Sequence, residues 1–154
     1  MFNYWNIFLR DLTRNKDKNS TFIQWHGMKE ESCPGSDAFV SAGANPTATL
    51  YLNQSSIPNR ITRAVRTVSK LLKANTPRED KKCRLVAETN VFGRYIYGVP
   101  FQKLCKTPSS IANRDGTFIH IEQHANSRDN LDIWIKALQI AFKTIKIRIH
   151  DELA

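Results

Sequence analysis

The stretch GTFIHIEQHANSRDN, residues 116–130, has the pattern of a β-strand that leads into a helix. His120, Glu122 and His124 occupy every second position, with isoleucine or glutamine between them. Side chains alternate across a strand, so these three polar residues share one face. Two imidazoles around a carboxylate are costly to bury unless they are paired, hydrogen-bonded or bound to a metal. The stretch therefore predicts a binding site, with a solvated strand face as the alternative.

Four segments of the chain have the short apolar runs typical of strands, each bounded by turn-forming residues. They are residues 21–26, 37–43, 84–90 and 117–123. After the third segment, the sequence predicts a turn at Phe92 and Gly93 and then a second short extended piece. The four segments define the expected central sheet.

Two segments repeat apolar residues at three- and four-residue steps, which is the period of an amphipathic helix. The first spans residues 59–75, with Asn59 as the expected N-cap after Pro58. Its apolar stripe contains Ile61, Val65, Val68 and Leu72. The second spans residues 127–150, and its stripe contains Leu131, Ile135, Leu138, Phe142, Ile145 and Ile149, widened by Ile133, Ala137, Ile140 and Ile147.

The alternation of these patterns predicts the fold class and the number of domains. Strands separated by helices are typical of an α/β fold, here a three-layer sandwich with a mixed, partly parallel central sheet and helices on its faces. The chain has 154 residues, 41% of them hydrophobic, which suits one domain with a substantial core. We expect a single domain at 1–154, with an N-terminal helix at 1–16 and the α/β core at 20–150.

The first residues do not have the pattern of a signal peptide. Phe2, Trp5, Phe8 and Leu12 recur at helical spacing, the basic residues come late, and a small-residue cleavage site is lacking. If the protein is exported, its signal is expected outside this chain. No apolar run approaches the roughly 18 residues that a membrane span requires.

The charge balance favours anionic partners. Lysine and arginine number 23 against 14 aspartate and glutamate, which gives a formal net charge of +9. Nucleic acid, cell-wall polymers and phosphorylated or carboxylated substrates all fit this excess. Much of the surplus lies on the helix predicted at 59–75, where a merely solvated surface is the alternative explanation.

Polar residues follow the strand ends, where ligands bind in open α/β sheets. His26 ends the first strand, and Gly27 lets the backbone turn sharply beside it. Zinc binds histidine nitrogen and carboxylate oxygen, with three protein ligands in catalytic sites. The expected set is His26, His120 and one of two loop carboxylates, Glu30 or Glu31. The alternatives are a hydrogen-bonded strand-end histidine and ordinary loop carboxylates.

Four further side chains are candidates for catalysis and substrate binding. Glu122 is the expected general base, which takes a proton from water and passes it to the leaving amine. Arg94 has a fixed fork of donors that suits a substrate carboxylate or an oxyanion, and an ion pair with Glu88 is the alternative. Asn90, at the end of the third strand, and His124 complete the expected substrate-binding set.

The motifs HGM…CPGSDAFVSAG, AETNVFGRYIYGV and GTFIHIEQ occur in this order along the chain. Together they resemble a group of largely uncharacterised, often exported bacterial proteins, over about residues 21–140. Their layout of a histidine-glycine strand end, an acidic loop and a late polar strand is similar to the zinc-dependent carboxypeptidase and N-formylglutamate amidohydrolase type of fold.

The resemblance implies roles for individual residues. It implies His26 as a metal ligand, His120 as a second histidine ligand and Glu122 as the general base. The HxxE spacing of the zinc carboxypeptidases needs an acid at position 29, where this chain has Lys29. One of the two glutamates that follow would therefore have to supply the carboxylate.

The three cysteines, Cys33, Cys83 and Cys105, lack CxxC spacing, which argues against a structural zinc site or a thioredoxin-like motif. The residues alone leave open a disulfide with one free thiol. The resemblance implies that Cys83 and Cys105, which flank the AETNVFGRYIYGV block, pair in an exported protein and that Cys33 stays unpaired.

Three functions are compatible with these patterns. The first is a zinc-dependent hydrolase of amide or peptide bonds in an anionic substrate. The second is a non-catalytic basic module that binds nucleic acid or an anionic polymer, although no nucleic-acid motif is recognisable and the aromatic residues do not interleave with the basic ones. The third is a phosphoester hydrolase with His26 as nucleophile, which is disfavoured because no arginine immediately precedes that histidine.

Overall fold

The computed structural model describes residues 21–142, in which short strands alternate with helices. The strands are β1 (Phe22–Gly27), β2 (Ala38–Ser41), β3 (Ala74–Asn75) and β4 (Phe118–Gln123). The helices are α1 (Ile57–Val68), α2 (Val91–Ile96), α3 (Ala125–Arg128) and α4 (Leu131–Ala141). The helix expected at 1–16 and the end of the helix expected at 127–150 lie outside the described residues.

The four strands form a mixed sheet in the order β1-β4-β2-β3. Strand β4 lies parallel to β1 on one side and antiparallel to β2 on the other. Strand β2 pairs in parallel with β3. The expected α/β fold with a mixed, partly parallel sheet is therefore confirmed.

One face of the sheet carries the apolar core. Val40, Ile119 and Ile121 are fully buried on this face. They pack with residues of α1 and α4, which include Ile61, Ala64, Val65, Trp134 and Ala137. Both of these helices thus cover the same face, and the polar residues that alternate with this apolar set point to the other.

The opposite face is covered, in the described part of the chain, by α2 and the irregular segments around it. Gly93 of α2 lies so close to β4 that a Cβ atom at Gly93 would come within 2.7 Å of the Phe118 ring. The Tyr97 hydroxyl, just after α2, donates to the carbonyl oxygens of Ala42 at 2.8 Å and Phe118 at 3.2 Å. A layer of longer helices on this face, as in a three-layer sandwich, stays a prediction.

The strand predicted at 84–90 is wrong. This segment is irregular, because Ala87 has a φ of 59°, in the left-handed region that interrupts an extended strand. The Asn90 amide then donates to Ala87 O at 3.1 Å and closes a turn. Helix α2 follows at once, in place of the expected turn and extended piece, since Asn90 Oδ1 accepts hydrogen bonds from the amides of Phe92 and Gly93.

Helix α1 begins and ends earlier than the predicted 59–75. Ser56 occupies the N-cap position, and Asn59 lies inside the first turn. The buried Asn59 side chain instead donates to the carbonyl oxygens of Tyr51 and Asn53, at 3.0 and 2.9 Å. Residues 74–75, which were expected at the end of this helix, instead form strand β3 and pair with β2.

The long helix predicted from residue 127 is interrupted between α3 and α4. Asn130 lies in this break, and its Nδ2 donates to Asn126 O at 2.6 Å. Leu131 and Ile140, two members of the predicted stripe, are 64% and 51% exposed, so α4 is buried on a narrower side than expected. No helix in the described part has the length and apolarity of a membrane span.

The disulfide joins Cys33 to Cys83, so the expected Cys83–Cys105 pair is wrong. The Cα atoms of Cys33 and Cys83 are 4.4 Å apart, and both residues are buried in a cluster with Met28 and Phe39. Cys105 is exposed and has a free thiol. The pairing follows from burial against β2, which the position of the cysteines along the chain does not reveal.

Replacing Cys83 with serine is expected to lower the free energy of unfolding by about 4 kcal/mol, because the two cysteines are 50 residues apart and the bond closes a long loop in the unfolded chain. Urea unfolding under non-reducing conditions measures this loss. The control is Cys105→Ser, which should change the free energy of unfolding by less than about 0.5 kcal/mol. Equal losses for both variants would contradict the Cys33–Cys83 pairing.

Candidate metal centre

The polar face of the sheet brings together side chains from β1 and β4. In the parallel register, Gln24 lies opposite His120, and His26 lies opposite Glu122. Residues two apart on one strand point the same way, and so do residues opposite each other on neighbouring strands. These four side chains therefore lie on one patch of the face that α1 and α4 do not cover.

Three of these residues, His26, His120 and Glu122, form a compact cluster, called here the metal cluster. Each offers one ligand atom, and the three atoms lie within 4.8 Å of one another. The rings of His26 and His120 have centroids 4.6 Å apart. His120 Nε2 lies 3.6 Å from Glu122 Oε1. His120 and Glu122 are 5% and 8% exposed, and His26 on β1 is partly exposed.

Burial controls the protonation of the three groups. It lowers the pKa of His26, and burial together with the nearby His26 charge lowers the pKa of His120 to about 3. Burial raises the pKa of Glu122 to about 7. His120 and Glu122 lie at ion-pair distance, yet desolvation outweighs their attraction, so both imidazoles are neutral at pH 7. Neutral imidazole is the form that binds metal ions.

Two buried polar atoms beside the cluster make no hydrogen bond within residues 21–142. They are His120 Nδ1 and Ser41 Oγ. Ser41 lies opposite His120 in the β2–β4 register and is fully buried. Buried polar groups in proteins are normally satisfied. Two neutral imidazoles and a carboxylate are thus a donor set able to hold a metal ion. The polar atoms around it suit ordered water.

An apolar wall bounds the cluster on one side. Phe39 lies opposite Glu122 in the β2–β4 register and is fully buried. It packs with Met28 and with the disulfide between Cys33 and Cys83. This wall explains the low exposure of Glu122 and hence the raised pKa of its carboxyl group.

The loop carboxylates Glu30 and Glu31 lie outside the metal cluster. Both are exposed, on the single 3-10 turn Glu30–Ser32. The carboxylate that the structure places beside the two histidines is Glu122, the expected general base. Glu122 lies beside the histidines because β4 pairs with β1. Glu30 and Glu31 lie in the loop after β1, which does not carry their side chains back over the sheet.

Arg94 and Asn90 make structural hydrogen bonds. Arg94 donates to the carbonyl oxygens of Leu104 at 2.7 Å and Glu88 at 3.4 Å, and so holds the chain after α2. The Glu88 carboxylate pairs with Arg114 at 3.1 Å instead of with Arg94. Asn90 caps α2 and donates from Nδ2 to Gln24 Oε1 at 2.7 Å. Of these side chains, Asn90 alone is linked by a hydrogen bond to the patch that holds the cluster.

His124 also lies outside the metal cluster. It occupies the N-cap position of α3, and its backbone amide donates to Asp37 O at 2.9 Å. The strand ends at Gln123, so the alternation that aligns His120 with Glu122 does not continue to His124. The opening stretch therefore contains two residues of the cluster, His120 and Glu122, and a histidine at the N-cap position of α3 whose side chain makes no cap hydrogen bond.

Gln24 is a residue of this patch that the sequence patterns did not single out. It stands two positions before His26 on β1, so it has the same parity as the strand-end histidine. Its relation to His120 depends on strand pairing, which only the structure supplies.

Comparison with known proteins gives no relative for this arrangement. No family model matches the chain, and no curated protein or solved structure is significantly similar to it. The chemistry of the site is therefore inferred from the cluster itself.

Proposed function

We propose that the protein is a zinc-dependent hydrolase of amide or peptide bonds, with the metal held by His26, His120 and Glu122. The observation that carries this proposal is the close approach of three ligand atoms, within 4.8 Å, on one face of the sheet. Two histidines and one glutamate form a ligand set typical of catalytic zinc, which keeps a further position for water or substrate.

In this proposal Glu122 is a ligand, in place of Glu30 or Glu31, and not the general base. Ligand atoms about 2.0 to 2.1 Å from a tetrahedral zinc ion lie about 3.4 Å apart. The 3.6 Å between His120 Nε2 and Glu122 Oε1 is close to this spacing. The third ligand atom, on the partly exposed His26 side chain, lies within 4.8 Å of the other two.

The reaction consumes one water molecule. Its oxygen adds to the amide carbonyl carbon, the carbon–nitrogen bond breaks, and the nitrogen leaves as an amine after it takes up one of the two protons of that water. When bound, zinc supplies a Lewis acid that polarises the carbonyl and acidifies water. The chain contributes a buried, largely apolar surround in which Phe39 and Met28 limit the access of bulk water.

We also propose an anionic substrate and an oxidising, extracytoplasmic compartment. The formal net charge of +9 supports an anionic substrate, because it raises the local concentration of anions. The Cys33–Cys83 disulfide supports the compartment, since such bonds persist in oxidising surroundings.

A basic groove supports the second candidate function, binding of nucleic acid or another anionic polymer. This groove, of about 420 Å³, lies at the end of α1 and is lined by Arg66, Ser69, Lys70, Leu72, Lys73 and Asn75. Arg66 is already paired with Glu79 at 2.7 Å, which leaves the two lysines as its main positive groups. Binding through this groove would weaken steeply with salt and would not change when metal is removed.

Elemental analysis of the purified protein tests the proposed function. After incubation with zinc and removal of the excess, we expect about one zinc ion per chain. Hydrolysis of a panel of N-acylated acidic amino acids and acidic dipeptides should then disappear with a chelator and return with zinc. Protein that retains no zinc after this treatment would overturn the proposal.

A further inference from the structure

We infer that Gln24 is a catalytic residue of the proposed hydrolase, whose side-chain amide donates a hydrogen bond to the carbonyl oxygen of the amide that is cleaved. This inference rests on the proposed function, since it needs a substrate carbonyl at the metal cluster. It assigns to Gln24 the substrate contact that the sequence predicted for Arg94.

The position of Gln24 is the first part of the argument. Gln24 shares its face of β1 with His26, two residues further on. On β4 it lies directly opposite His120. Neighbouring strands are about 4.8 Å apart, so the Gln24 side chain starts beside both histidines of the cluster.

The orientation of the Gln24 amide follows from a chain of hydrogen bonds that begins at α2. The backbone amides of Phe92 and Gly93 can only donate, and both donate to Asn90, at 3.0 and 3.1 Å. The acceptor must therefore be Asn90 Oδ1, which makes Nδ2 the other end of that side chain. Asn90 Nδ2 donates to Gln24 at 2.7 Å, so the accepting atom of Gln24 must be Oε1.

The consequence is that the free end of the Gln24 amide is its NH₂ group. Within residues 21–142, Gln24 Nε2 donates to no acceptor, and Gln24 is only partly buried. The patch beside the cluster thus presents a hydrogen-bond donor, because the backbone amides of α2 determine, through Asn90, which end of the Gln24 amide is engaged. A donor held in this way loses little entropy when a ligand oxygen arrives.

Such a donor suits the chemistry of amide hydrolysis. Negative charge develops on the carbonyl oxygen when water adds to the carbon, and a preoriented N–H group stabilises that charge. Arg94 does not compete for this role, because its guanidinium already donates to two backbone carbonyls. Asn90 is then a positioning residue, which acts on the substrate only through Gln24.

The first test measures the binding of acetohydroxamic acid to the zinc-loaded protein, because this probe places two oxygen atoms at a bound metal. In Gln24→Leu, acetohydroxamic acid should bind about tenfold more weakly, as expected for the loss of one hydrogen bond to a charged oxygen. Zinc affinity should stay within about threefold of the wild-type value. The matched control is Gln102→Leu, which alters an exposed glutamine of the Phe101–Lys103 turn and should change neither constant.

The second test uses Asn90→Asp, which keeps the cap of α2 but replaces Nδ2 by an acceptor. Gln24 must then turn its amide to donate to the new carboxylate, so that Oε1 faces the patch. We expect acetohydroxamic acid to bind at least tenfold more weakly and the melting temperature to stay within about 2 °C. In the Gln24→Leu background, the same substitution should produce no further loss, since its effect passes through Gln24.

The outcomes separate the two proposals. If the wild-type protein binds no zinc, the proposed function fails and this inference fails with it. If zinc binds and acetohydroxamic acid binds equally well to the wild type and Gln24→Leu, only the role of Gln24 is overturned. If the loss of acetohydroxamic acid affinity in the double variant equals the sum of the two single losses, Asn90 is not a positioning residue that acts through Gln24.

Discussion

Replacing His120 with alanine is expected to weaken zinc binding about 1000-fold. Apparent binding free energies of structural zinc sites are about 10 to 16 kcal/mol and are shared among a few ligands, so the loss of one ligand removes about 4 kcal/mol. His120 is also the central member of the metal cluster, next to both His26 and Glu122. Competition with a fluorescent chelator at pH 7.5 measures the dissociation constant.

The control for this prediction is His124→Ala. His124 lies on the same stretch of chain but outside the metal cluster. Its replacement should leave the zinc dissociation constant within about threefold of the wild-type value. A His120→Ala variant that folds and binds zinc within tenfold of the wild type would contradict the ligand assignment.

The same measurement has an expected pH dependence. The raised pKa of Glu122, about 7, means that this carboxyl group carries a proton below neutral pH and must release it to bind a metal. The lowered pKa values of His26 and His120 mean that neither imidazole has to release a proton near pH 7. Zinc affinity should therefore fall about tenfold per pH unit below pH 7 and level off above it. A Glu122→Gln variant should lose both the affinity and this slope.

Replacing Trp134 with alanine is expected to lower the free energy of unfolding by about 4 kcal/mol. Trp134 is 2% exposed in the core between α4 and the sheet. The rings of Trp134 and Trp25 form a T-shaped pair with centroids 4.7 Å apart, and Trp134 Nε1 donates to Ser127 O at 3.0 Å. The substitution leaves a large cavity and a buried carbonyl oxygen without this donor.

Urea unfolding monitored by circular dichroism measures the loss at Trp134. The matched control on the same helix is Ile140→Ala, because Ile140 is 51% exposed. It should change the free energy of unfolding by less than about 0.5 kcal/mol. If both variants lose the same free energy, the assignment of the buried side of α4 is wrong.

The sequence predicted the elements whose side chains are patterned by burial. Strands β1, β2 and β4 and the greater part of α1 follow from apolar runs and helical spacing, because a buried face restricts residue choice. The predictions failed where local hydrogen bonds decide the structure. The turn at Ala87, the cap at Asn90 and the break at Asn130 each depend on one backbone or side-chain contact that has no periodic signal.

The candidate site shows the same division. The alternation of His120 with Glu122 was readable from one strand, and the strand-end position of His26 from another. The sequence did not show which carboxylate lies beside the two histidines. This depends on the β1–β4 register, which places His26 opposite Glu122 and leaves the loop glutamates outside the cluster. The disulfide was mispredicted for a similar reason, since Cys33 meets Cys83 through the packing of loops against β2.

The order of strands in the sheet has a consequence for how the protein acquires its structure. Strand β4 lies between β1 and β2, and it pairs with β1 across about a hundred residues of chain. Contacts between such distant segments form slowly, because the loop between them must be ordered first. During synthesis, β1 and β2 therefore cannot pair with β4, the strand between them, until residue 123 has been added to the chain. The proposed metal ligands are divided between β1 and β4, so metal capture and completion of the sheet are expected to coincide in folding.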